Sequence, residues 1–321
     1  MESFWEKLPK PFFVLAPMAD VTDAAYRALI AECGKPDVTW TEFVAADGLH
    51  ATRERKGMLD AENPLMRDLQ YSNEERPIVA QLFSSNVENM AYAATLCKEL
   101  GFDGVDINMG CPDKAIEKQG CGSAMIKNPE KARAIIRAAK ESGLPVSVKT
   151  RIGYNSETMD EWLTQVLLEK PAALTVHLRT RKEMSKVPAH WDLMPRAVAI
   201  RNLVSPETLI IGNGDVLDLP DAREKAKATG ADGIMLGRAI FGNPWVFMGK
   251  TRDEISKEEK LGALSDLAVR YAKLEPQKSF HILKKHVKAF VIGFDDAAPL
   301  RASLMEAPDY TTFIQLLEDA A

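Results

Sequence analysis

Short apolar runs recur along this chain, separated by stretches in which apolar residues return at helical spacing. Eight runs read as strands: residues 12–16, 38–44, 78–83, 104–108, 146–150, 173–178, 209–213 and 233–237. They are continuously rather than alternately apolar, which suits a parallel sheet buried on both faces. The stretches between them carry helix punctuation. Thr22-Asp23 opens one that runs through Tyr26, Leu29 and Ile30 and stops at Gly34. Asn128-Pro129-Glu130 opens another, through Ala132, Ile135, Ile136 and Ala139, that stops at Gly143. Proline just inside the start and glycine just past the end are favoured at helix termini. Eight such units in about 250 residues predict an α/β fold of the TIM (β/α)8 barrel type. The competing doubly wound sheet would carry Gly-x-Gly-x-x-Gly after its first strand, where this chain has Pro17-Met18-Ala19-Asp20.

The pattern changes from about Thr251. Strand signals stop, and Phe280, Leu283, Val287, Phe290 and Phe294, then Phe313, Leu316 and Leu317, follow helical spacing. Residues 1–250 are therefore expected to form the barrel and residues 251–321 a small C-terminal all-helical domain. The charge-rich stretch 250–260 would join them, and the long connection 45–76 has room for helices of its own.

With 321 residues, 46% hydrophobic and 27% charged, the composition is that of a globular protein. No apolar run is long enough to span a membrane, and residues 1–7 lack the basic-then-apolar order of a signal peptide. Four cysteines without Cys-x-x-Cys or histidines at ligand spacing predict neither a disulfide framework nor a metal site. A cytoplasmic protein with reduced thiols is expected. Cys33 and Cys97 fall in helical segments and read as small core residues, as Trp5, Trp162 and Trp245 read as packing residues.

In a barrel, the C-terminal ends of the strands face the active site. The unusual polar residues gather there: Gln81, Asn108, Lys149, Arg151, His177, Arg179, Asn213, Asp215 and Arg238. Cys111 sits on a Gly110-Cys111-Pro112 turn just past a buried strand, a place suited to a reactive thiol. Cys121, between two glycines, reads as a turn residue. Gly214 after the seventh strand and Gly237-Arg238 after the eighth match the barrel phosphate site, with backbone N–H groups and a guanidinium on the anion. Lys149 in an apolar strand is costly to bury unpaired. A cofactor that develops negative charge, such as a reduced flavin, would justify it. Gln81 offers both a donor and an acceptor to a flavin or pyrimidine edge. His177 taken alone reads as a satisfied core histidine.

These residues resemble those of the tRNA-dihydrouridine synthases. The likeness rests on Ala16-Pro17-Met18 with Thr22-Asp23, Asn108-Met109-Gly110-Cys111-Pro112, Gly122-Ser123-Ala124, Val148-Lys149-Thr150-Arg151, His177-Leu178-Arg179-Thr180-Arg181, Asn213-Gly214-Asp215 and Gly237-Arg238. It extends in order over nearly the whole chain, and the Gly-Cys-Pro motif with its flanking Asn is the most specific part. The resemblance implies an FMN enzyme that reduces the C5–C6 bond of uridine in tRNA, with NADPH as reductant. It implies hydride transfer from flavin N5 to uracil C6 and protonation of C5 by Cys111. It implies FMN contacts from Pro17, Met18, Ala19, Gln81, Lys149, His177, Asn213, Gly214, Asp215, Gly237 and Arg238. Asn108, Arg151, Arg179 and Arg181 would face the flipped uridine, the flavin or the RNA. Leu178 departs from the family's usual Gly, and Cys121 from its commoner Ala or Gly.

The net charge of −5 weighs against nucleic acid, but cations cluster locally. Placed on a helix, His281, Lys284, Lys285 and Lys288 would lie away from the apolar stripe. With Arg179, Arg181, Lys182 and Lys186 at the barrel rim they would form an RNA track, on a protein expected to be a monomer. Two other readings compete: a flavin barrel reductase acting on a free small molecule, and an RNA-binding protein on a barrel that has lost its chemistry.

Overall fold

The computed structural model describes residues 3–321. Nine parallel strands alternate with helices: β1 (Phe12–Leu15), α1 (Ala24–Gly34), β2 (Thr39–Trp40), β3 (Val44–Ala45), α2 (Ala46–His50), α3 (Pro64–Arg67), β4 (Ile78–Phe83), α4 (Val87–Glu99), β5 (Gly104–Met109), α5 (Lys114–Lys118), α6 (Pro129–Lys140), β6 (Val146–Arg151), α7 (Met159–Leu167), β7 (Ala173–His177), α8 (Met194–Val204), β8 (Leu209–Asn213), α9 (Leu219–Thr229) and β9 (Gly233–Leu236). The strand order is β1-β9-β8-β7-β6-β5-β4-β2, with β3 also on β4, and a parallel Val14–Val38 bridge joins the two ends. This is the TIM barrel expected from the sequence. After β9 come only helical elements, chiefly α10 (Lys257–Ala272), α11 (Phe280–Leu283), α12 (Val287–Phe290), α13 (Ala297–Glu306) and α14 (Tyr310–Ala320).

Two expectations need correcting. The run 38–44 is two short strands, not one. Gln81 N–H bonds to the Thr41 Oγ1 hydroxyl at 3.0 Å, and that hydroxyl donates to the Glu42 carbonyl at 2.8 Å. A side chain thus takes a ladder position and breaks the strand. The apolar stripe 280–294 is likewise no single helix: a 3-10 turn, Lys284–His286, separates α11 from α12. The connection 45–76 does carry helices, α2 and α3 among them.

Each strand divides its side chains between two environments, as a period of two requires. On β5, Val105, Ile107 and Met109 join the main core beneath the helices, while Asp106 and Asn108 point into the barrel. On β6, Val148 faces the helices, and Lys149 reaches across to Asn213 on β8. The lower barrel is filled by Phe12, Val14, Trp40, Val79, Ile211 and Met235, with Trp5 packed against Phe12 and Trp40. The upper barrel is polar. Ions and amides therefore collect at one end, where the strand C-termini open.

Candidate active site

The C-terminal mouth encloses a cavity of about 280 Å3. Pro17, Met18, Gln81, Asn108, Cys111, Lys149, Arg151, His177, Arg179, Asn213, Gly214, Asp215, Gly237 and Arg238 all line it. Residues from distant parts of the chain thus converge as the barrel reading requires. Ala19 does not line the cavity and is exposed on the rim.

The Cys111 turn is built by side chain and backbone together. Asn108 Oδ1 accepts the N–H groups of Gly110 (3.1 Å) and Cys111 (2.9 Å). Ser123 N–H holds the Cys111 carbonyl at 2.9 Å. The returning loop passes so close that a Cβ on Gly122, at φ +59°, would sit 2.6 Å from that carbonyl oxygen. Burial pushes the Cys111 thiol above the usual cysteine value, against the opposing pull of Arg151 and Lys149. The thiol is therefore neutral at pH 7 and has a proton to give.

Lys149 and His177 stand on the next two strands round the barrel. Burial, then the neighbouring Arg151, bring the Lys149 ammonium down to about 8, so it remains mostly charged at pH 7. Its Nζ lies 3.2 Å from Asn213 Oδ1. Burial, with Arg151, Lys149, Arg179 and Arg238 around it, holds His177 well below its ordinary value. His177 is neutral, and because the Arg179 guanidinium can only donate, at 3.1 Å, Nε2 is the acceptor and the ring proton sits on Nδ1.

The ends of β8 and β9 form the third wall. Gly214 has φ +126°, and a Cβ there would fall 2.8 Å from that of Ala189. Among the described residues, the N–H groups of Gly214, Asp215, Gly237 and Arg238 meet no acceptor. Unpaired donors beside an exposed guanidinium suit an anionic group such as a phosphate. The Asp215 carboxylate bridges Arg179 and Arg238, so its contribution to an anion would come from its backbone.

Several residues turn out to be committed within the fold. Arg151 is buried and donates to the carbonyls of Gly110 (2.7 Å), Thr180 (3.1 Å) and Met184 (3.0 Å). Arg179 is buried and holds the Val187 carbonyl at 2.6 Å. Arg181 pairs with Glu117 and lies over the Tyr154 ring. Gln81 spends one N–H on Asp106 and one lone pair on Asn108. Leu178, in place of the glycine, packs fully buried in the main core.

In the helical region the sequence reading fails at one lysine. Lys284 is buried, its ammonium on the carbonyls of Met305 (2.7 Å) and Ala307 (2.8 Å), which leaves it no RNA-facing role. Lys284 lies four residues after Phe280 and three before Val287, on a flank of the apolar stripe rather than away from it. Lys278 is buried too, 2.7 Å from Glu42 and 3.5 Å from Asp23 of the barrel. Lys285 is exposed and pairs with Asp20 at 2.9 Å, and Lys288 is exposed. Sequence reasoning also passed over Asp106 and the cavity-lining Phe43, Ser185, Val216 and Met235. For Asp106 a signal existed, since it stands two residues before Asn108 and shares its inward face.

Comparison with known proteins narrows the class. The dihydrouridine synthase (Dus) family profile matches residues 14–321. A probable tRNA-dihydrouridine synthase 2 of Bacillus subtilis is 41% identical, over 99% of this chain and 96% of its own. A probable tRNA-dihydrouridine synthase of Staphylococcus epidermidis is 40% identical over the same shares. Among solved structures, histamine dehydrogenase from a Rhizobium species superposes with a TM-score of 0.54 at 14% identity, over 80% of this chain and 48% of that one. A 2-naphthoyl-CoA reductase gives 0.54 at 9% identity, over 74% of this chain and 49% of its own. This chain spans about half the length of either enzyme, and the likeness shows the barrel fold. The family profile runs from β1 to the last helix, a range that holds every cavity-lining residue: the chain belongs to the dihydrouridine synthase family of oxidoreductases.

Proposed function

We propose that this protein reduces the C5–C6 bond of uridine in tRNA to 5,6-dihydrouridine, with FMN as cofactor and NADPH as reductant. One observation carries the reading. A neutral thiol on a rigid turn shares a cavity with a buried ammonium and with the unpaired N–H groups after β8 and β9. These residues fit FMN: Gly214, Asp215, Gly237 and Arg238 would meet its phosphate, and Lys149 its negative charge. Reduced FMN, when bound, supplies the hydride for uracil C6. Cys111 gives its proton to C5 as a general acid, the role a raised thiol pKa suits. His177 offers a hydrogen bond from Nδ1. The uridine must leave its stack to reach the cavity. Exposed Lys182, Lys186, Lys285 and Lys288 would meet phosphates around it.

The test is an absorbance spectrum, followed by NADPH and tRNA from a strain lacking dihydrouridine. A flavin band bleached by NADPH and restored by the tRNA, with dihydrouridine formed, is the expected result. Bleaching without restoration would favour a small-molecule reductase. No flavin, even after reconstitution with FMN, would overturn the reading.

A further inference from the structure

We propose that Asp106 is a positioning residue: its carboxylate, acting through Gln81 and Asn108, holds the turn that carries the Cys111 thiol. Asp106 is completely buried on β5, below the cavity; it does not itself line the cavity and makes no hydrogen bond to Cys111. It accepts Ser147 Oγ at 2.6 Å and Gln81 Nε2 at 2.7 Å. Gln81 Oε1 accepts Asn108 Nδ2 at 3.0 Å, and Asn108 Oδ1 accepts the two turn N–H groups.

The direction of this relay is fixed from both ends. The N–H groups of Gly110 and Cys111 can only donate, so Asn108 must turn its oxygen to them and its amide nitrogen to Gln81. Gln81 must then offer its oxygen there and its nitrogen to residue 106. An acceptor is required at that position, and an ionised carboxylate provides it without competing donors. Reversing any amide would set donor against donor in a buried site, which is costly.

Burial raises the Asp106 carboxyl to about 6. The groups facing it are Ser147 and the Lys149 ammonium from β6, Gln81 from β4 and Trp40 from β2. Lys149 in turn faces Asp106 and Cys111 from β5, with Arg151 beside it on its own strand. A proton arriving on Asp106 would point a donor at Gln81 or Ser147 and loosen the relay. The inference rests on the role proposed for Cys111, but the state of the turn can be read whether or not uridine is the substrate.

The experiment labels the folded protein with 4,4′-dithiodipyridine from pH 5 to 8 and follows the Cys111 peptide by mass. In the wild type, labelling below about pH 6 should exceed what the thiolate fraction predicts. Asp106→Asn carries a donor beside its acceptor, as the protonated acid does, so it should show the wild type's low-pH excess at every pH. Asp106→Leu removes the acceptor, so labelling should be faster at every pH. Dihydrouridine formation by Asp106→Leu should fall in kcat by about 10- to 100-fold, the scale of a misplaced catalytic group. KM for tRNA should stay unchanged, and Asp106→Asn should fall between the wild type and Asp106→Leu in kcat. A wild-type profile without the low-pH excess would overturn the proposal, even if Asp106→Leu failed to fold. A fall in kcat with Cys111 labelling unchanged would also overturn it.

Discussion

The barrel mouth and the C-terminal helices both gather charged residues from apolar surroundings, yet they use them differently. At the mouth, Cys111, Lys149 and His177 face a cavity, and their protonation is shifted by burial and by a ring of arginines. In the helical region, Lys278 and Lys284 are equally buried, but each is satisfied by fixed partners: Glu42 and Asp23 for one, two carbonyls for the other. A buried cation facing a cavity is available for chemistry. A buried cation with its partners in place is a fastening: Lys278 ties the helical region to the barrel, and Lys284 ties α11 and α12 to the end of α13.

The sharpest contrast is expected from Cys111→Ala. It should cost about 10²- to 10⁴-fold in dihydrouridine formation, the range of a lost general acid. Flavin absorbance and tRNA affinity should be retained; full activity would remove Cys111 from the chemistry. Lys278→Met should act on the opposite side of the comparison. Glu42 and Asp23 would be left buried without their counter-charge, costing about 3–5 kcal/mol of stability. Calorimetry would show a large fall in melting temperature, and an unchanged one would mean that the charge cluster is no fastening.

His286 sharpens the comparison through pH. It packs edge-on to Tyr26, both of its ring nitrogens lack hydrogen-bond partners among the described residues, and burial lowers it to about 4. The folded protein therefore refuses a proton that the unfolded chain accepts near 6.5. The resulting stability is complete above pH 6.5 and is lost as pH falls towards 4, at up to about 1.4 kcal/mol per unit. Asp106, raised to about 6, has the opposite sign but is common to wild type and His286→Phe. The stability difference between those two proteins should therefore shift in favour of the variant below pH 6.5 and stay flat above it.

The smallest effects separate two nearby lysines. Lys284→Met should lower stability by about 1–3 kcal/mol, because buried carbonyls lose their donor. Lys288→Glu should leave melting unchanged and weaken tRNA binding, with a salt dependence shallower by about one unit of slope. Filter binding across a salt series distinguishes them. Equal loss of RNA binding without loss of stability in both would return Lys284 to the RNA surface.

Local pattern determined much of this protein. Apolar runs and helix punctuation specified the eight-fold repeat, because strand and helix periods are properties of neighbouring residues. Barrel geometry then made Cys111, Lys149, Asn213 and Arg238 legible as partners, since strand ends of a closed parallel sheet must meet. What the tertiary structure alone decided is which polar groups stay open to the cavity. Arg151 and Gln81 have partners tens of residues away, which no spacing announces. Lys284 flanks the apolar stripe, and the chain at the end of α13 decides that its ammonium meets two carbonyls instead of solvent. The strand at Thr41 ends because a hydroxyl, rather than a carbonyl, meets Gln81. Periodicity fixes which way a side chain points; whether it meets solvent, a ligand or a carbonyl depends on what the rest of the chain brings opposite.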